Sequence, residues 1–232
     1  QQFQFHQIYQ KLHNFCVRDM GGLYLDIIKD RIYTCAPDSL PRRSAQTALY
    51  HISEAFVRWI APILSFTAHE IWGYMPGQRD ASVFVAEWYD LPQLDAETGI
   101  QRIDWDAIME AKEAINKMLE TSRSEGLIKG SLDAEIVLYA DDHYMQALGK
   151  LGDELRFVTI TSTASLLPMA QSGDASQSSL TGLNVAIGRS DATKCVRCWH
   201  YMADVGNVEA HPELCARCVD NVAGAGEIRS YA

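Results

Sequence analysis

The sequence predicts a mainly α chain: a helical bundle over residues 1–125, a small α+β module over 126–188, and a C-terminal four-cysteine zinc knuckle over 189–232. Three observations carry this. Apolar residues recur at helical spacing through the first half. The period then shortens at AEIVLYA (134–140), a run of branched and aromatic residues that reads as a strand. Finally, Cys195 and Cys198 form one C-x2-C pair and Cys215 and Cys218 a second, with sixteen residues between them.

Phe5, Ile8, Leu12 and Phe15 step by three, four and three residues, which keeps them on one helix face. Gly21-Gly22 weakens this pattern before Leu23, Leu25, Ile27 and Ile28 resume it, so the segment to about Arg31 reads as one long helix with a soft spot. TCAPDSLP (34–41) is a loop. Asp38 or Ser39 is placed to cap the next helix, and Pro41 suits its first turn. Ala45, Ala48, Leu49, Ile52, Ala55, Phe56, Trp59 and Ile60 form a wide apolar stripe. Pro62 kinks or restarts the helix, which continues to Met75. Residues 76–104, with Pro76, Gly77, Pro92 and Gly99, are expected to be irregular. From Asp104 to about Ser124 a further helix places Trp105, Ile108, Ala111, Ile115, Met118 and Leu119 on one face, and it is counted with the bundle. After the strand at 134–140, a helix is expected at about 142–154 and a strand over RFVTITSTASLL. QSGDASQSSLT is expected to be an exposed loop and LNVAIGRS another strand.

A tetrahedral zinc site uses four soft donors, and two C-x2-C turns supply four thiolates. Four cysteines close the coordination shell and leave no position for water, so one structural Zn2+ is expected, held by Cys195, Cys198, Cys215 and Cys218. The alternative is a pair of redox dithiols or disulfides, but thioredoxin-like pairs sit at a βα junction and do not come in tandem. His200 and His211 flank the cysteines as substitutes for one of them. Four thiolates carry more negative charge than the ion offsets, and Lys194, Arg197 and Arg217 stand near enough in sequence to compensate. Arg197 precedes Cys198 and Trp199 follows it. A planar indole beside a guanidinium suits stacking on an unpaired base. Equally, Trp199 can be the miniature core of the knuckle and Arg197 a charge balance. Lys29 and Arg31 at the end of the first helix, with Arg42 and Arg43 at the start of the second, read either as a patch for phosphates or as solvated helix termini.

The net charge of −10 excludes binding by diffuse phosphate neutralisation, so nucleic-acid contact has to be local. No apolar run approaches the ~18 residues of a membrane span, and QQFQFHQIYQKLHNF is not a signal peptide. It lacks an initiator Met and reads as the start of a fragment. Cys35 and Cys16 fit a reduced cytoplasmic setting, with Cys16 a small core residue beside the apolar row. His69-Glu70 opens a zincin-like H-E-x-x-H, but Gly73 replaces the second histidine. No P-loop, dinucleotide fingerprint or nucleophile elbow occurs, and no catalytic residue is assigned.

YLDIIKDRIYT (24–34), RRSAQTALYHISEAFVRWIAPILSFTAHEIWGYMPG (42–77), GSLDAEIVLYA (130–140), LGDELRFV (151–158) and KCVRCWHYMADVG…CARCVDNVAG together resemble bacterial isoleucyl-tRNA synthetases in their C-terminal part. The resemblance covers essentially the whole chain. It implies a class I anticodon-binding bundle that receives the anticodon stem-loop of an isoleucine tRNA. The zinc module helps to hold the anticodon, with Arg197 and Trp199 against its nucleotides. It also implies a monomer that works with the remainder of a synthetase chain. ATP belongs to a catalytic domain whose HIGH and KMSKS motifs are absent here, so this stretch is not expected to aminoacylate alone. The rival is a structural zinc tail that packs on the synthetase body without touching RNA.

Overall fold

The computed structural model describes residues 4–93 and 99–232 and divides the chain into two compact units. The first unit comprises residues 1–26 and 42–95, the second residues 27–41 and 96–232. Among the described residues no helix is long and apolar enough to cross a membrane.

In the first unit, α1 (Phe5–Asn14) runs into a π-helical stretch, Phe15–Tyr24. The soft spot expected at Gly21-Gly22 lies inside this wide turn. A Cβ on Gly21 would meet the Cys16 carbonyl oxygen at 3.1 Å, and one on Gly22 the Val17 carbonyl oxygen at 3.2 Å. Glycine removes that crowding and lets the widened turn form. Cys16 is exposed, so its expected place in the core is corrected: Leu12 supplies the packing from this segment. The helix then continues as α2 (Leu25–Thr34), most of which belongs to the second unit.

Helix α3 (Leu40–Ile60) begins one residue after Ser39, whose hydroxyl donates to the Ala36 carbonyl. Pro62 falls in the turn between α3 and α4 (Ser65–Tyr74), where its missing N–H removes no helical bond. The core of the unit joins Val57, Ile60, Ala61, Ala68, Trp72 and Val83. The segment beyond α4 is irregular except for one short turn at Val83–Val85, and its part at 94–98 lies outside the described residues. Buried Glu54 fixes this segment. It accepts from Arg58 at 2.6 Å and from Arg79 at 2.8 Å, and both guanidiniums lie over the Trp72 ring, at 4.7 and 4.6 Å from its centroid.

In the second unit, α5 (Arg102–Ser124) buries Ile108, Ala111, Ile115 and Leu119, as its spacing predicts. It packs on the α+β elements, although the sequence reading counted it with the bundle. Strand β1 (Ala134–Ala140) buries alternate residues, the period-two signature of a half-covered strand. It lies parallel to β2 (Thr163–Pro168) and antiparallel to β4 (Leu183–Arg189), with the two-residue β3 (Ser176–Gln177) outside β4. Helix α6 (Asp142–Gly149) is capped by the Asp141 carboxylate, which accepts from the Tyr144 N–H.

The strand expected from Arg156 begins only at Thr163. Residues Leu155–Thr159 form helix α7, which ends at Ile160 in the left-handed conformation, φ 57°. Burial of Leu155, Phe157 and Val158 on a helical turn outweighs their strand propensity. Beyond β4, the two-residue strands β5 (Thr193–Lys194) and β6 (Tyr201–Met202) pair, and α8 (Ala216–Ala223) follows.

Candidate metal centre and nucleic-acid interface

The β5–β6 hairpin closes on Cys195, whose N–H donates to the His200 carbonyl, while the Trp199 N–H donates to the Cys195 carbonyl. These bonds wrap residues 195–200 into a tight turn with Cys195 and Cys198 facing inward. The second pair sits at the start of α8, with Cys215 at its N-cap and Cys218 in its first turn. All four cysteines are buried, and Met202, Val205 and Leu214 pack around them.

Their four sulfur atoms lie within 4.8 Å of one another, and those of Cys198 and Cys215 are 3.7 Å apart. A tetrahedral zinc with 2.3 Å bonds places its sulfurs about 3.8 Å from each other, so the cage has the right size. A disulfide needs about 2.05 Å, and all six cysteines of the chain are free thiols. Hydrogen bonds from Cys215 and Cys218 hold the Cys198 thiol far below its usual range, and the same contacts push those two upward. Sulfurs packed this closely all ionise only with a cation among them. Among the described residues this is the one set able to hold a metal, and His200 and His211 are outside it. The His200 ring is buried edge-on against Phe157, 5.7 Å between centroids.

Trp199 adopts φ 67°, a left-handed conformation rare for a bulky residue. The turn's hydrogen bonds enforce it, and the indole is 61% exposed. The reading of Trp199 as the miniature core of the knuckle is therefore corrected, since Met202, Val205 and Leu214 fill that place. The Lys194 ammonium stands 5.5 Å from the indole centroid.

Arg197 is half-buried and donates through Nη2 to the Thr34 carbonyl at 2.9 Å, and its Nε is buried without a partner. Arg31, expected among the phosphate contacts, is buried and donates through Nε to the Pro41 carbonyl at 2.8 Å. Its guanidinium holds the α2–α3 loop, and an RNA contact is withdrawn for it. Lys29 and Arg43 are exposed, and Arg42 is half-buried. Lys29 belongs to the second unit, Arg42 and Arg43 to the first.

Sequence reasoning missed the charged cluster beneath the cysteines. Arg217 forms a bidentate pair with Asp30, at 2.6 and 2.8 Å, and Arg229 reaches the same carboxylate at 2.5 Å. Both guanidiniums, with that of Arg156, lie against the Phe157 ring. Burial alone would raise the Asp30 carboxyl, but the bonds from Arg217 and the charges of Arg217 and Arg229 outweigh it and hold Asp30 below its ordinary value. One signal was available in the sequence: the two turns read C-V-R-C and C-A-R-C, with an arginine at the same place in each.

Residues 1–138 match the family described as the anticodon-binding domain of tRNA ligase, and residues 193–221 match a zinc finger found in FPG and IleRS. The first match spans more than half of the chain, which belongs to that anticodon-binding domain family, and the second falls on the four-cysteine site. The finger match and the buried sulfur set together establish one structural Zn2+.

More particularly, the chain is similar to isoleucine–tRNA ligases. It is 56% identical over 232 residues to that of Alcanivorax borkumensis, 54% over 233 residues to that of Pseudomonas putida, and 55% over 231 residues to that of Teredinibacter turnerae. These alignments cover 99%, 100% and 99% of this chain and 25% of each relative, so the chain spans about a quarter of their length.

Proposed function

We propose that this chain recognises the anticodon stem-loop of an isoleucine tRNA as part of an isoleucine–tRNA ligase. Cys195, Cys198, Cys215 and Cys218 hold zinc, and Trp199 stacks on an unpaired anticodon base. The observation that carries this is the exposed indole held in a left-handed corner directly after a cysteine of the cage. Exposing a large aromatic surface is unfavourable in isolation, and a rigid aromatic face is what a splayed base stacks upon. Lys194 beside the ring adds a cation for the neighbouring phosphate. Lys29, Arg42 and Arg43 contact the stem-loop backbone. ATP-dependent attachment of isoleucine is proposed for the whole ligase, monomeric and cytoplasmic, with correct docking of the anticodon orienting the acceptor end for a remote reaction.

A second reading is favoured by Arg197: its bond to Thr34 ties the knuckle to protein rather than to RNA. In that reading the zinc module is purely structural. The deciding experiment is binding of zinc-loaded chain to an isoleucine tRNA transcript and to the same transcript with a swapped anticodon, at two salt concentrations. Anticodon preference that survives added salt and is lost in Trp199→Ala supports recognition. Equal, salt-labile binding to both transcripts, unchanged in Trp199→Ala, supports the structural reading, because phosphate contacts are sequence-blind.

A further inference from the structure

An arginine precedes the second cysteine of each metal-binding turn, and both arginines converge on one helix end. Arg197 donates to the carbonyl of Thr34, the last residue of α2. Arg217 forks onto Asp30, one turn earlier, and its Nη1 lies 3.3 Å from the Thr34 hydroxyl. The last carbonyls of a helix lack intrahelical partners and carry partial negative charge, so cations are favoured there. Segment 225–232 closes the same site: Arg229 reaches Asp30, and the N–H groups of Ser230, Tyr231 and Ala232 donate to the Glu154 carboxylate. Arginines that served only to neutralise thiolate charge would not need this directed geometry.

We propose that Arg197 and Arg217 form a zinc-organised fork that grips the C-terminal end of α2, with Asp30 the positioning residue through which that helix end orients Trp199. The metal sets the spacing of the two turns and hence of the two guanidiniums. Loss of the metal therefore loosens residues 30–36 and 225–232 as well as the knuckle. Asp30 does not touch RNA; it acts through Arg217 on the second cysteine turn, which shares the metal site with the turn that presents the indole. This role in orienting Trp199 rests on the proposed recognition of the anticodon, whereas the fork itself does not.

The test uses the whole chain and three substitutions: Asp30→Asn, Arg217→Lys and Trp199→Ala. Cobalt absorption reports four-thiolate ligation, hydrogen exchange reports residues 30–36 and 225–232, and paired tRNA transcripts report anticodon discrimination. Chelation of zinc from the unmodified protein is expected to speed exchange in both segments. Asp30→Asn is expected to keep the cobalt–thiolate spectrum, to speed exchange in both segments, and to lower discrimination about tenfold. Trp199→Ala is expected to lose discrimination while exchange stays slow.

Unchanged exchange after chelation overturns the fork. Faster exchange in Asp30→Asn with discrimination intact, while Trp199→Ala abolishes it, overturns the positioning role and leaves the proposed function standing. Unchanged RNA binding in Trp199→Ala overturns the proposed function, and the exchange data then still decide the fork. If Asp30→Asn loses the cobalt spectrum, Arg217→Lys serves in its place, because lysine keeps the charge and lacks the two-pronged geometry. Native exchange in Arg217→Lys counts against the fork.

Discussion

Each compact unit sets a carboxylate between two arginines on an aromatic ring, joined in the second by Glu227, and the two constructions differ in how far they reach along the chain. In the first, Glu54 takes Arg58 and Arg79 over Trp72. Arg58 is one helical turn away and Arg79 only 25 residues away, so the cage folds from local chain. In the second, Asp30 takes Arg217 and Arg229 over Phe157, from 187 and 199 residues away. Closing loops of that length carries a larger entropy cost, which something else has to offset. The four-cysteine site is the candidate, because it orders the segment that carries Arg217. The first cage is thus a local staple, and the second depends on a metal.

The largest expected effect follows from that dependence. Chelation of zinc, or Cys215→Ser, should unfold residues 193–221, since metal binding in such modules supplies on the order of 10 kcal/mol of folding free energy. Hydrogen exchange should show the Asp30 cage loosening with it while the Glu54 cage keeps its protection. Equal loosening of both would remove the contrast. Next in size, Asp30→Ala removes the carboxylate that both guanidiniums share and leaves them only Glu227, 3.0 Å from Arg217 and 3.9 Å from Arg229, so it should cost about 3 kcal/mol, the low end for a broken buried pair, in a denaturant titration. Glu54→Ala should cost a similar amount, because Arg58 and Arg79 keep carbonyl partners on Glu87 and Pro76 but no second carboxylate.

Both carboxylates also set an acid limit. Burial would raise Glu54, but its bonds from Arg79 and Arg58 prevail and depress it from 4.5; Asp30 is likewise depressed from 3.8. A carboxylate depressed in the folded state contributes stability that is complete above its unfolded value. That contribution is lost as pH falls through the folded value. The carboxylate contribution to stability, read from melting temperature, should therefore hold between neutral pH and about 4.5 and decline below it, first through Glu54. In Glu54→Gln the part of the decline beginning near 4.5 should be missing. An unchanged acid limb would show that Glu54 does not govern it.

What the sequence disclosed follows the same local-versus-distant division. The four cysteines were legible because ligand spacing within each turn is a local property, and α5 and β1 because burial imposes a period on neighbouring residues. Arg31 was read as a phosphate contact or a solvated helix terminus and Arg197 as a base contact or a balance for thiolate charge, since nothing in the sequence shows that a carbonyl meets either of them. The Pro41 and Thr34 carbonyls that do so are tertiary facts. Phe157 was read within a strand by its propensity, but a helical turn places its ring under three guanidiniums. The exposure of Trp199 was equally hidden, because it depends on a left-handed φ that no side-chain pattern announces.

The smallest expected effect separates how the distant arm enters each cage. Gly77 stands two residues before Arg79 at φ +96°, and Gly226 three before Arg229 at φ +83°. A left-handed residue other than glycine costs roughly 1–2 kcal/mol, so alanine at either position is strained. At Gly77 a Cβ meets only the tip of the Arg79 side chain, at 4.0 Å, and Gly77→Ala should cost that strain alone. At Gly226 a Cβ also comes within 3.2 Å of the Ala36 Cβ, beside the end of α2. Gly226→Ala should therefore lose more stability than Gly77→Ala and, unlike it, should speed exchange at residues 30–36. The comparison is read from paired denaturant titrations and exchange on the two zinc-loaded variants. Equal losses, with exchange at the α2 end unchanged, would mean that segment 225–232 packs against the second cage without helping to close it.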